Sequence, residues 1–272
     1  MSLLNTTINQ PSVVLTIAGF DPSSGAGITA DLQVFAAHGL YGTSCITALT
    51  VQSTLGVAGV EPVAKLITPT LDHLDADLPP TGIKIGMLAT AEAVQTVAAY
   101  LKKVKRRGIP VVLDPVIRSS SGAALLDAEG LTALQQELLP LVDWITPNRA
   151  ELAILSGTES SVEEGLWELA SRYPHLHIVA TGGDTSGDGA VDLLRSPDGE
   201  LHRFEGERIQ TSSTHGTGCA FSSALLARLV LGDAPKAAIA AAKAYVTEAL
   251  RQAQGIGGGK GPLNLLWPLR PR

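Results

Sequence analysis

Residues 214–219, Thr-His-Gly-Thr-Gly-Cys, place two glycines around a threonine just before the run CAFSSALLARLVLG, which has helical spacing. A helix starting there leaves backbone N–H groups without intrahelical partners, and the glycines clear a path for an anion to reach them. Gly216, Thr217 and Gly218 are therefore candidates for holding a phosphoryl group. Cys219 falls in the first turn, where the positive helix end is expected to lower its pKa toward neutrality and let the thiolate accept a proton. Two other readings stand beside that one. Cys219 is a small buried residue under the loop, or it is a nucleophile assisted by His215, for which the pattern offers no clear third residue to orient the histidine.

The other candidates follow apolar runs. In GFDPSSGAGITADL, Gly25, Gly27 and Ala30 satisfy GxGxxA. However, FDPSS separates the glycines from the preceding run, and no acidic residue closes the next strand, so a dinucleotide fold is weakly supported. A backbone-lined cup with Asp31 as a polar contact, or glycines that only shape a loop, are the alternatives. Gln52 offers an amide donor and acceptor side by side, matching an aminopyrimidine edge, or it is an idle surface residue. In VVLDPV a buried strand ends in Asp114, which binds Mg²⁺ through water or caps a turn. Asn148 and Glu151 in TPNRAEL form a capping box, a role compatible with facing a ligand. Thr181, Gly182 and Gly183 in ATGGD let backbone approach phosphate or adenine, or make a tight turn.

These loops need a frame. VVLTIAG (13–19), SCITALTVQ, IPVVLDP, VDWIT and HIVAT read as buried strands. ITADLQVFAAHG, AEAVQTVAAYLKKVKRRG, GLTALQQELLPL, RAELAILSG and VEEGLWELASRY read as helices. Their alternation implies βαβ units, a mainly parallel sheet and helices on both faces, with ligands beyond the carboxyl ends of the strands. GAVDLLRSPDGELHRFEGERI breaks the rhythm; its Pro-Asp-Gly turn predicts an antiparallel hairpin at a sheet edge.

The chain has 272 residues, 45% of them hydrophobic, and reads as one domain over 1–272 with 1–11 as a flexible tail. A net charge of -6 gives no footprint for nucleic acid. The cluster Lys102, Lys103, Lys105, Arg106 and Arg107 reads as a solvated helix end. Two cysteines without metal-ligand spacing point to a reducing compartment. With no leader pattern and no apolar stretch of membrane-spanning length, the expectation is a soluble, cytoplasmic protein.

The same segments resemble the hydroxymethylpyrimidine and phosphomethylpyrimidine kinases of thiamine biosynthesis, in the ribokinase-like superfamily. The resemblance runs through LTIAGFDPSSGAGITADLQVFAAHGLYGTSCITALTVQST, KIGMLAT, VVLDPV, ITPNRAE, STHGTGCAFSSALLA and GKGPLN. It implies a three-layer α/β/α fold and transfer of a phosphoryl group from ATP, with Mg²⁺, to a pyrimidine alcohol and then to its monophosphate. It implies that Gln52 bonds the aminopyrimidine and that Ala26, Asp31, Met87 and Val116 help form its pocket. Asp114 and Glu151 would organise Mg²⁺, with Asn148 near the phosphates and Thr181 and Gly183 near the nucleotide. Gly216, Thr217 and Gly218 would form the anion hole and Cys219 would be the base; a homodimer is expected. Where relatives often carry lysines, this chain has Thr181 and Ser212, so two phosphate-neutralising charges are missing. Rival readings are a pyridoxal kinase and a non-catalytic pyrimidine-binding protein.

Overall fold

The structure, a computed structural model, describes residues 10–119, 122–182 and 189–269. The elements run β1 (Val13–Phe20), α1 (Gly27–Ala37), β2 (Tyr41–Ser53), β3 (Gly56–Pro62), α2 (Ile67–Asp77), β4 (Ile83–Ile85), α3 (Ala91–Val104), β5 (Val111–Leu113) and α4 (Ala128–Ala133). They continue with β6 (Trp144–Ile145), α5 (Arg149–Ser156), α6 (Val162–Arg172), β7 (His177–Ala180), β8 (Gly189–Arg195), β9 (Leu201–Glu207), α7 (Thr217–Val230) and α8 (Pro235–Arg251). They form one sheet of order β3-β2-β1-β4-β5-β6-β7-β8-β9. Strands β2, β1, β4, β5, β6 and β7 pair in parallel, while β3, β8 and β9 join antiparallel. This is the expected three-layer α/β/α arrangement around a mainly parallel sheet.

Alternation along each strand sends neighbouring side chains to opposite helix layers. Leu15, Ile17, Ile83, Ile85 and Leu113 pack in a core with residues of α2, α3, α5 and α6, whereas Val14 and Val112 pack with α1, α7 and α8. Lys84, between Ile83 and Ile85, is thereby sent to the α1 and α7 side. It is fully buried there and reaches both carboxylate oxygens of Asp31, at 3.0 and 2.8 Å. Thr16 of β1 and Ser223 of α7 also donate to that carboxylate, at 2.6 and 2.7 Å. One buried ion pair thus ties β1, β4, α1 and α7 together.

The expected hairpin is β8 and β9, with Gly199 in the left-handed region (φ 87°) at its turn. A second, unexpected hairpin forms where β2 runs on to Ser53 and returns as β3, whose glycine-rich, half-exposed sequence carries little strand signal. The helix read over 130–141 is shorter and starts earlier. Asp127 caps it by accepting from the Gly130 N–H, and the chain then loosens through a π turn and a tight turn at Pro140, which has no N–H to continue the ladder. No helix among the described residues is long and apolar enough to cross a membrane.

Replacing Lys84 by methionine keeps the volume but strands the Asp31 carboxyl in the core. Breaking one side of a buried pair costs about 3–5 kcal/mol, so Lys84→Met should lower the urea midpoint of unfolding sharply. An unchanged midpoint would remove the pair from its structural role.

Candidate active site

The parallel strands end on a cavity of about 770 Å³. It opens at the carboxyl ends of β1, β2, β4, β5, β6 and β7, beside the point where strand order reverses around β1. Gln52, next to last in β2, lines it together with Met87, Val116 and Ala26. Met87 belongs to a small apolar cluster with Ala48, Ala89 and Leu125, against which Val116 packs. Asp114, Asn148, Glu151 and Thr181 line the wall after β5, β6 and β7. Gly183 lies outside the described residues.

Backbone geometry positions the start of α7. Gly216 precedes it in the left-handed region (φ 83°), and a Cβ there would lie 1.8 Å from the Gly25 carbonyl oxygen. Gly27 (φ 60°) is equally confined, since a Cβ there would lie 2.3 Å from the Gly19 carbonyl oxygen. Only glycine fits either place. The two glycine loops therefore interlock, seating the α7 start against the floor of the cavity. No side chain caps α7, and its first-turn residues Thr217, Gly218 and Cys219 line the cavity. That combination suits an anion.

Two expectations are corrected. Asp31 does not contact the cavity: it is wholly buried and committed to Lys84, Thr16 and Ser223, one layer below. Its position in α1 points it at β4 rather than at a ligand. Nor is Cys219 acidified by the helix end. Burial pushes its thiol up to about 12, the Asp114 and Asp31 carboxylates push the same way, and Lys84 and the Gly27 N–H offset only part of this. The thiol is therefore neutral, hydrogen-bonded to Asp114. His215 does not serve it. The residue that orients His215 is Asp21, whose Oδ2 lies 2.7 Å from His215 Nε2.

Asn148 and Glu151 form the expected capping box: Asn148 Oδ1 accepts from the Glu151 N–H at 2.9 Å, and Glu151 Oε2 accepts from the Asn148 N–H at 3.0 Å. Burial holds the Asp114 carboxyl above the usual range, with Lys84 opposing and Asp31 adding to the shift. Two carboxyl groups thus share one ammonium, and a divalent cation beside Asp114 would supply the missing charge. Among the described residues no cluster of three or more His, Cys, Asp or Glu makes a ready-formed metal site. Mg²⁺ is held by one or two carboxylates while keeping water and phosphate ligands, and Asp114 and Glu151 on the cavity wall are carboxylates of that kind. The residues present therefore fit the ion.

Sequence reasoning missed several cavity residues. Arg118, Lys243 and Lys260 line it and bring positive charge from other elements than those where Thr181 and Ser212 lack it. Lys243 is fixed by Asp192 at 2.8 Å, and the other oxygen of Asp192 accepts from the Gly182 N–H at 2.9 Å. Lys84 and Asp21 were also missed, although a lone lysine inside GIKIGM and an aspartate before Pro-Ser-Ser are visible irregularities.

Gly216→Ala should abolish nucleotide binding by calorimetry, because the methyl group forces the two glycine loops apart; unaltered affinity would detach the loop geometry from anion binding. Alkylation tests the thiol. Cys219 is half-buried on the cavity wall yet protonated below about pH 12, so iodoacetamide at pH 8 should modify it at least roughly ten-fold slower than a free thiol. Rapid modification at pH 8 would contradict the raised pKa.

Comparison with known proteins supplies the chemistry. A family model described as phosphomethylpyrimidine kinase matches residues 21–264. The chain is 42% identical over 256 residues to the thiamine biosynthesis bifunctional protein ThiED of Geobacter sulfurreducens, covering 92% of this chain and 51% of that protein, about half its length. It is 41% identical over 263 residues to the hydroxymethylpyrimidine/phosphomethylpyrimidine kinase of Synechococcus elongatus, covering 94% of this chain and 98% of that one. An ADP complex of Bacillus subtilis pyridoxal kinase superposes with a TM-score of 0.83 at 31% identity, covering 96% and 100% of the two chains. A phosphomethylpyrimidine kinase from Clostridium difficile gives 0.73 at 34%, covering 88% and 99%. An anion-ready helix start at the switch point of this sheet is what a phosphoryl-transfer enzyme needs, and the chain belongs to the hydroxymethylpyrimidine/phosphomethylpyrimidine kinase family, as an ATP-dependent kinase of ribokinase-like fold acting on a small pyrimidine- or pyridoxal-type substrate.

Proposed function

We propose that the protein phosphorylates 4-amino-5-hydroxymethyl-2-methylpyrimidine and then the resulting monophosphate, in thiamine biosynthesis, using MgATP. The observation that carries this reading is the placement of Gln52, with its paired donor and acceptor, on the same cavity as the α7 start and Cys219. The full-length relative from Synechococcus is named for both pyrimidine substrates. Pyridoxal is the second reading, favoured by the superposition on the Bacillus pyridoxal kinase.

The acceptor hydroxyl oxygen bonds to the γ-phosphorus as the bond to the bridging oxygen of ADP breaks, and the hydroxyl proton leaves for a base. In so loose a transition state the protein chiefly positions the reactants and stabilises charge on the transferred group. The first-turn N–H groups of Thr217, Gly218 and Cys219 do the latter, and the apolar wall of Met87 and Val116 holds the ring. Asp114 and Glu151 would hold Mg²⁺, which neutralises phosphate charge when bound. Cys219 accepts a proton only as a thiolate, a form that the buried carboxylates disfavour and added positive charge near Asp114 favours.

ADP release should be seen with MgATP and the pyrimidine alcohol, and again with its monophosphate. Faster turnover on pyridoxal than on either pyrimidine would transfer the assignment to the second reading. A general base is worth about 10² to 10⁴ in rate, so Cys219→Ala should cut kcat within that range with little change in affinity. Turnover near the parent value would assign the catalysis to the helix-start amides instead.

A further inference from the structure

Gln52 is not a free side chain waiting at the end of β2. Its amide nitrogen position lies 3.1 Å from His215 Nε2, and Thr50 Oγ1 lies 3.1 Å from its other end. The same His215 Nε2 is 2.7 Å from Asp21 Oδ2. Asp21 is itself held by the Ser23 N–H and Ser23 hydroxyl on Oδ1, at 2.8 and 2.7 Å, and by the Ala26 N–H on Oδ2 at 3.1 Å. Burial would raise its carboxyl, but the bonds from His215 and Ser23 outweigh that and hold it below the usual carboxylate range.

Donor and acceptor accounting then fixes the hydrogens between Asp21, His215 and Gln52. An ionised carboxylate only accepts, so the ring N–H must sit on His215 Nε2 and point at Asp21. A nitrogen that carries this hydrogen cannot accept from an amide N–H. The end of Gln52 that satisfies His215 is therefore its carbonyl oxygen, sharing the ring N–H with Asp21, and its NH₂ faces Thr50. Thr50 accommodates this, because its hydroxyl donates to the Phe20 carbonyl at 3.0 Å and keeps lone pairs for the amide.

We infer that Asp21, His215 and Thr50 form a clamp that fixes which end of the Gln52 amide faces which way, and so make the cavity selective for an aminopyrimidine edge. The inference rests on the proposed pyrimidine reading. An aminopyrimidine edge has a direction, one exocyclic N–H beside one ring nitrogen, and meets a fixed amide in one orientation only. Inverting the amide would require turning the ring over, which carries the hydroxymethyl group to the other side. A phenolic ring such as pyridoxal, whose hydroxyl both donates and accepts, is indifferent to that inversion. Asp21, His215 and Thr50 act through Gln52 and are positioning residues.

The test compares calorimetric binding of 4-amino-5-hydroxymethyl-2-methylpyrimidine with that of the same alcohol lacking the 4-amino group. The parent protein should prefer the amino compound. His215→Phe removes the ring N–H and Thr50→Val removes the hydroxyl at the opposite end; each should shrink the preference by about ten-fold, the scale of one buried hydrogen bond left unmade. A purely structural role would weaken both ligands alike and leave their ratio intact. An unchanged ratio in Thr50→Val, whose shape is conserved, overturns the clamp even if His215→Phe does not fold. A parent protein with no preference between the two alcohols sinks the pyrimidine reading itself.

Discussion

A charged lysine sealed from water is tolerable only if its partners are already in place, and the Lys84–Asp31 pair imposes that condition on the whole molecule. Three donors converge on one carboxylate from three different elements, so β4, β1 and α7 have little freedom to slide relative to α1. Alternation in IKI puts the lysine there. The layer just above inherits the consequence: Asp114 and Cys219 sit in a field where negative charge is in surplus. What the helix dipole offers the thiol, burial and two carboxyl groups take back.

The cavity is accordingly divided by chemistry. Its lining includes the glycine-rich α7 start, and Lys243, Lys260 and Arg118 contribute cationic side chains. Met87 and Val116 give it an apolar stretch of wall, and Gln52 lines it together with Thr50, His215 and Asp21. In the proposed function the α7 start would meet the transferred phosphoryl group and Gln52 the heteroaromatic ring.

Much of the fold was legible because the parallel core is written in continuous apolar runs with strict alternation. Val13–Phe20, Val111–Leu113 and the β8–β9 hairpin fell where periodicity and turn chemistry placed them. β3 was not legible, since GVAGVEP pairs through backbone and spends few apolar side chains. At the site, glycines and strand-end residues were readable from local pattern. The Asp31 ion pair and the Asp21–His215 contact were not, because their partners are 53 and 194 positions away along the chain. The upward shift of the Cys219 thiol has the same root. A helix start is local, whereas the burial and the carboxylates that dominate its thiol arrive from β5 and α1.

The contact of Gly216 with Gly25 has a consequence for how the molecule is made. Its two loops flank the first and the last parts of the fold, so the anion site has no floor until nearly the whole chain has been synthesised. Contacts of such long separation form late, after loop closure has been offset by the sheet between them. A chain still emerging from the ribosome therefore carries α1 with a buried-type aspartate and β4 with its lysine, but no α7 to cover them. The seat of the α7 start against Gly25 and the cover over the Asp31 carboxylate are then completed by the same late element.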